Sequence, residues 1–92
     1  MTKVWVIALS QFEWYENRHV CLSKETALKR FEEVRLEQIA ENQNMVVWCA
    51  KHDSDPDPWM KNIEALKQLI PGKKLNVKYC DYPDMTEWEV ET

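Results

Sequence analysis

Two cysteine–histidine pairs are the nearest this chain comes to nucleophilic chemistry: Cys21 with His19, and Cys49 with His52. A thiol becomes a nucleophile when a neighbouring base lowers its pKa, and the spacing in neither pair requires such contact. Both thiols read as small buried hydrophobes, and His52 beside Asp53 reads as a solvated loop histidine. Zinc sites present clustered Cys and His pairs, whereas here the closest approach is His19-x-Cys21. No metal ligand set is assigned. Phosphate-cradling loops need several glycines for close backbone approach, and the chain has one, Gly72. With no catalytic residue assigned and no cofactor motif, the sequence points away from an enzyme and toward contact surfaces.

Acidic and aromatic residues carry those surfaces. From Asp81 onward the chain holds five acids, Asp81, Asp84, Glu87, Glu89 and Glu91, and no base. The loop around Pro56 adds Asp53, Asp55 and Asp57. Charges on a terminal strand discourage edge-to-edge aggregation, and Lys74 and Lys78 across a hairpin would offset them. The same surplus acid can also compete for a basic groove on another protein. Five tryptophans are present. Trp5, Trp48, Trp59 and Trp88 fall on apolar stripes and are expected in the core. Trp14 and Tyr15 flank a turn among Glu13, Glu16 and Asn17, where they either form an exposed contact or pack back on the core. Glu32 and Arg35 fall inside an otherwise apolar helix arc, as an i,i+3 pair at the sheet boundary or as a charged spot for a partner.

The elements that position these residues follow from periodicity. Lys3 to Leu9 is β-branched, aromatic and apolar on both faces, as expected for a strand with little water on either side. Arg18 to Leu22 reads as its hairpin partner, with the turn near residues 13–17. Ser23 is an N-cap for a helix running to about Gln43. Asn42 and Asn44 then favour a break, and Met45 to Ala50 reads as a buried strand, a continued helix being the alternative. Asp57 caps a second helix with Pro58 at its first position, and Pro71-Gly72 ends it. Leu75 to Cys80 and Thr86 to Val90 alternate, so they are predicted to pair around a turn at Asp81–Asp84, with Val77 facing Trp88 and Lys78 facing Glu87. The expected fold is α+β in the order ββαβαββ, one mostly antiparallel sheet with two helices on one face, forming a single domain over residues 1–92.

Ninety-two residues at 45% hydrophobic and 30% charged composition suit one small core. The apolar run Val4–Leu9 is far short of the ~20 residues that span a bilayer, and acids follow where a signal-peptide cleavage site would lie, so no membrane association and a cytoplasmic location are expected. Three widely spaced cysteines agree with a reducing compartment. A net charge of −4 disfavours phosphate as a partner for the molecule as a whole. Lysines on the helices, among them Lys24, Lys29, Lys61 and Lys67, with Trp14 or Tyr15 as a stacking platform, are the alternative route to direct nucleic-acid contact.

The stretch Val20-Cys21-Leu22-Ser23-Lys24-Glu25-Thr26-Ala27, a strand entering a Ser-capped helix, resembles short phage and mobile-element proteins that open with a hairpin, over roughly residues 3 to 40. Small size, aromatic richness, acidic bias and the missing catalytic motif also look like phage-encoded inhibitors of bacterial defence, anti-CRISPR proteins among them. That resemblance implies stoichiometric binding to a host protein or ribonucleoprotein complex, such as a CRISPR effector. These inhibitors share no signature, so no residue role is carried over from them. The expected partner-binding residues are those of the chain's own acidic and aromatic surfaces: Trp14, Tyr15, Asp53, Asp55, Asp81, Asp84, Glu87, Glu89 and Glu91.

Overall fold

The computed structural model describes residues 2–11, 14–75 and 80–91, with Trp14 described by its backbone alone. Strand β1 (Thr2–Gln11) is the centre of a three-stranded antiparallel sheet of order β2-β1-β3, flanked by β2 (Trp14–Cys21) and β3 (Tyr82–Val90). A central place suits β1, because its apolar residues occur at both parities and both of its edges are paired. Trp5 lies opposite Cys21 and Glu87, and Ile7 lies opposite His19 and Met85. A register shift between Ile7 and Ala8 leaves Arg18 as the extra residue of a bulge. Pro83 is tolerated because, among the described residues, β3 pairs with β1 alone and has no second ladder to feed.

Helix α1 (Lys24–His52) begins where the sequence places it. The Ser23 hydroxyl oxygen accepts the Thr26 N–H at 3.2 Å, and Glu25 sits in the positive first turn. Ala27, Phe31 and Val34 are buried, and they close over Ile7, Leu9 and Cys21 on one face of the sheet. The helix ends at Asp53, whose left-handed backbone (φ 53°) returns its N–H to the Cys49 carbonyl, with Lys51 and His52 in the negative last turn.

Helix α2 (Asp57–Gln68) packs principally on the C-terminal half of α1. Its start is set one residue earlier than expected: Pro56 is the cap residue, Asp57 is already helical, and the Asp55 carboxylate accepts the Asp57 N–H at 3.0 Å. Leu66 and Leu69 enter the same core as Phe31 and Ile7. With α2 carried on α1, the molecule measures 56 × 23 × 19 Å.

The α+β class holds, and the finer order needs correction. Met45 to Ala50 is not a third strand but the last turns of α1, which runs nine residues past Gln43. Asn42 does compete for backbone, but within the helix: its side-chain amide donates to the Gln38 carbonyl at 2.7 Å, and its Oδ1 accepts from Asn62 of α2 at 3.0 Å. The break signal is thereby absorbed by helix packing. Residues 81–84 are not a turn, since β3 already begins at Tyr82. The partner of β3 along its described length is β1, with Val4 opposite Trp88 and Lys3 opposite Glu89. The expected strand at Leu75–Cys80 falls largely on residues 76–79, outside the described residues. Only α1 lies along the sheet, whereas two covering helices were expected. Strand β2 starts at Trp14 rather than Arg18, so residues 14–17 are strand rather than turn.

Candidate functional site

The parity of β1 that does not meet α1 carries Val4, Val6, Ala8 and Ser10, flanked by Tyr15, Asn17 and Val20 on β2 and by Asp84, Thr86, Trp88 and Val90 on β3. No helix covers the end of this face nearest Val20 and Trp88, and large apolar side chains stand in solvent there. Val20 is 67% exposed and Trp88 57%, and Tyr15, 72% exposed, stands toward the other end of the face, opposite Ser10. Single exposed apolar residues are ordinary, but a contiguous set on one sheet face marks a contact surface. Between them lies a hollow of about 310 Å³ lined by Val6, Ala8, Tyr15, Asn17, Asp84, Thr86 and Trp88, with Lys74 reaching its margin. The Trp88 indole N–H donates to the Thr86 hydroxyl at 2.8 Å, which holds the ring in place before any partner arrives.

Of the acids on β3, Asp84 alone lies on this face. Asp84 is half-buried in the hollow itself. Glu87 and Glu89 point to the opposite parity but sit exposed on the edge strand, and Glu91 follows just beyond it. Lys3 lies 3.8 Å from Glu87 on that other parity, an exposed pair that contributes little stability. Burial, with Asp84 next in effect, raises the Tyr82 phenol above its ordinary pKa, so the tyrosine at the covered end of the face stays neutral.

Among the expected partner-binding residues, the fold thus puts Tyr15 and Asp84 on this face of the sheet, Glu87 and Glu89 at the opposite parity of β3, and Glu91 just beyond that strand. It separates the rest. Asp81 turns toward the helices and accepts a hydrogen bond from Gln11 Nε2 at 2.8 Å. Asp53 and Asp55 lie at the far end of α1, whose 29 residues rise about 43 Å at ~1.5 Å each. The expected acidic surface is therefore not continuous. The Trp14 side chain lies outside the described residues.

Trp48 and Trp88 were expected in the core and are instead 47% and 57% exposed. Trp48 stacks on His52 with ring centroids 4.2 Å apart, near the tip of α1. For Trp88 the alternation with Glu87 and Glu89 correctly gives the strand, but alternation does not say which face meets the helix layer. The available signal was in β1, which is apolar at both parities while one helix covers only one of them.

The Glu32–Arg35 pair is real, at 2.9 Å, yet the arginine does more than pair. Its guanidinium donates to the carbonyls of Leu66, Lys67 and Leu69 at the C-terminus of α2 and lies 5.2 Å from the Phe31 ring centroid. It is a clamp between helices, not a spot for a partner.

All three cysteines are buried and free. Burial, reinforced by Asp81, pushes the Cys80 thiol up to about 11, the opposite of what a nucleophile needs. No group of three or more Cys, His, Asp or Glu side chains able to hold a metal ion occurs among the described residues. No helix among them is long and apolar enough to cross a membrane. No family model, curated protein or solved structure matches the chain.

Proposed function

We propose that the protein is a non-enzymatic binding domain that docks on another protein through the helix-free face of its sheet, as a stoichiometric inhibitor of the phage type would. The observation that carries this reading is the exposed, pre-positioned Trp88, which shares the lining of a hollow with the exposed Tyr15, on a face that no described helix covers. Tryptophan and tyrosine dominate interface energetics because they bury much area at small entropic cost. The carboxylates of Asp84, Glu87, Glu89 and Glu91 on the adjoining edge select a partner whose apolar patch is bordered by basic side chains. Such patches occur on the nucleic-acid-binding subunits of host surveillance complexes, which is the narrower form of the proposal and rests on the resemblance to anti-CRISPR proteins. Direct nucleic-acid contact is less well supported: among the described residues Lys74 is the one cation lining the hollow, against Asp84.

The test is affinity capture on immobilised protein from bacterial lysate, with and without nuclease, comparing wild type with Trp88→Ala and Tyr15→Ala. A nuclease-resistant complex that loses at least about 30-fold in affinity on Trp88→Ala, a hot-spot effect, is the expected result. Charge reversal of Asp84, Glu87 and Glu89 together is expected to slow association without unfolding. Retention abolished by nuclease, or a complex indifferent to both aromatic substitutions, overturns the proposal.

A further inference from the structure

The side of α1 turned away from the sheet and α2 changes character along its length. Up to Glu37 it is charged, with Glu25, Lys29, Glu32 and Glu33 exposed on it. Between Glu37 and Lys51 the one charged residue is Glu41, which shares a hollow with Trp59 of α2 and so lies toward that helix. Leu36, Ala40, Gln43, Val47 and Ala50 all stand in solvent, Leu36 at 61% exposure and Val47 at 53%. They recur at intervals of four, three, four and three residues, which makes one continuous stripe on a helix. The solvent side of a helix ordinarily carries charge, and this stripe carries none.

We propose that the stripe is the contact face of a homodimer, in which a second copy of the chain lays its own α1 antiparallel across it. A two-fold axis makes the contact isologous, so the stripe must fit itself read backwards. With the axis between Ala40 and Gln43, Leu36 meets Val47 of the second copy and Ala40 meets its Gln43. The small Ala40 at the centre lets the two helices approach to about 8–10 Å. The same register brings Lys51 to Glu33 of the second copy, with its Glu37 one turn further on. Lys51 makes no ion pair among the described residues, and Glu33 holds Arg30 through Oε2, so Lys51 is placed to take Oε1. Both ends of the seam therefore close on opposite charges. A register one heptad earlier sets Lys29 on Val47, and one heptad later carries Leu36 past the end of the helix at His52. A parallel pairing opposes Glu33 to Glu33 and Lys51 to Lys51. The seam runs about 27 Å over residues 33–51 at ~1.5 Å each. One helix pair of that length belongs with interfaces below ~1,200 Å² of buried surface, so the dimer is a weak one that dilution disperses. Since the sheet packs on α1 up to Val34, the dimer carries its two sheets at opposite ends.

Disulfide trapping tests the geometry, and the three native thiols are buried and do not compete. Leu36→Cys and Val47→Cys chains, mixed at near-millimolar concentration and mildly oxidised, are expected to form the mixed disulfide well ahead of either like pair. Like pairs forming as fast, or no disulfide at all, overturns the register. A concentration series of amide spectra on the unmodified protein is expected to show saturable shifts at Leu36, Ala40, Val47 and Ala50, and none at Tyr15 or Trp88. Leu36→Glu is expected to abolish them. Lys51→Glu and Glu33→Lys are each expected to weaken association about tenfold, and an equimolar mixture of the two to regain most of it, because the mixed pair restores opposite charges at both ends. A mixture no tighter than its parts, spectra indifferent to concentration, or shifts confined to the Trp88 face overturns the dimer. All four positions are exposed on α1, and Leu36→Glu is expected to leave partner capture by the sheet face unchanged, so failure here is separable from failure of that proposal.

Discussion

The two halves of α1 are built on different packing logic, although they form one uninterrupted helix. From Lys24 to Val34 the residues turned inward are Ala27, Phe31 and Val34, all apolar and all sealed against the sheet. From Arg35 to Asn42 the inward positions are largely polar: Arg35 clamps the end of α2, Gln38 faces a hollow, and Asn42 reaches Asn62. The sheet is a broad apolar surface that any hydrophobe of suitable size can cover. A second helix offers a narrow ridge and, at its end, carbonyls that need donors. Apolar burial therefore provides the adhesion of the first half, while hydrogen bonds fix the register and ending of α2 in the second. The contrast teaches that a polar residue inside an apolar arc can be a structural instruction rather than a functional one.

Substitutions sharpen that contrast in order of size. Phe31→Ala, in the sealed half, is expected to cost about 3–5 kcal/mol in denaturant unfolding, through lost burial and the cavity left behind. Arg35→Ala removes the donors that end α2 and is expected to cost about 2 kcal/mol, with hydrogen exchange accelerated in α2 while β1 amides stay protected. A uniform loss of protection would show that the two halves are not distinct. Asn42→Leu strands Asn62 in a buried site at a cost of roughly 1–2 kcal/mol, and Asn42→Leu with Asn62→Leu together is expected to recover most of that. Were the double variant as unstable as the sum of its parts, the pair would be adhesive rather than positional. Ser23→Ala, at the start of the apolar half, is expected to cost about 1 kcal/mol. The smallest effect is a pH dependence. The folded Cys80 thiol titrates at about 11, above its unfolded value, so its contribution is fully present below pH ~8.5 and fades as the pH rises toward 11. Cys80→Ala is expected to flatten that alkaline limb of the stability curve.

Much of this architecture was legible in the residues, and what escaped has specific causes. The Ser23 cap, the pairing of the first two strands, the start of α1 and the terminal strand all follow from local signals that tertiary packing left alone. Helical continuation through Met45–Ala50 did not, because Asn42 and Asn44 look like breakers until α2 supplies a partner for Asn42. The turn at Asp81–Asp84 was misplaced because alternation on Thr86, Trp88 and Val90 marks a strand without showing that it begins earlier, at Tyr82, where β1 supplies the partner. Site residues fared similarly. Tyr15 was marked as a surface candidate from its setting, whereas Trp88 needed knowledge of which sheet face is roofed.

The 56 Å long axis has a practical consequence for anyone weighing the protein in solution. A compact 92-residue chain has a radius of gyration of roughly 12 Å, and this one has 15.0 Å. Frictional drag follows length more than mass, so a single copy travels through a sizing column ahead of globular standards of 11.0 kDa and is easily read as a pair. Sedimentation equilibrium, which is blind to shape, is the measurement that gives its stoichiometry, alone or on a partner.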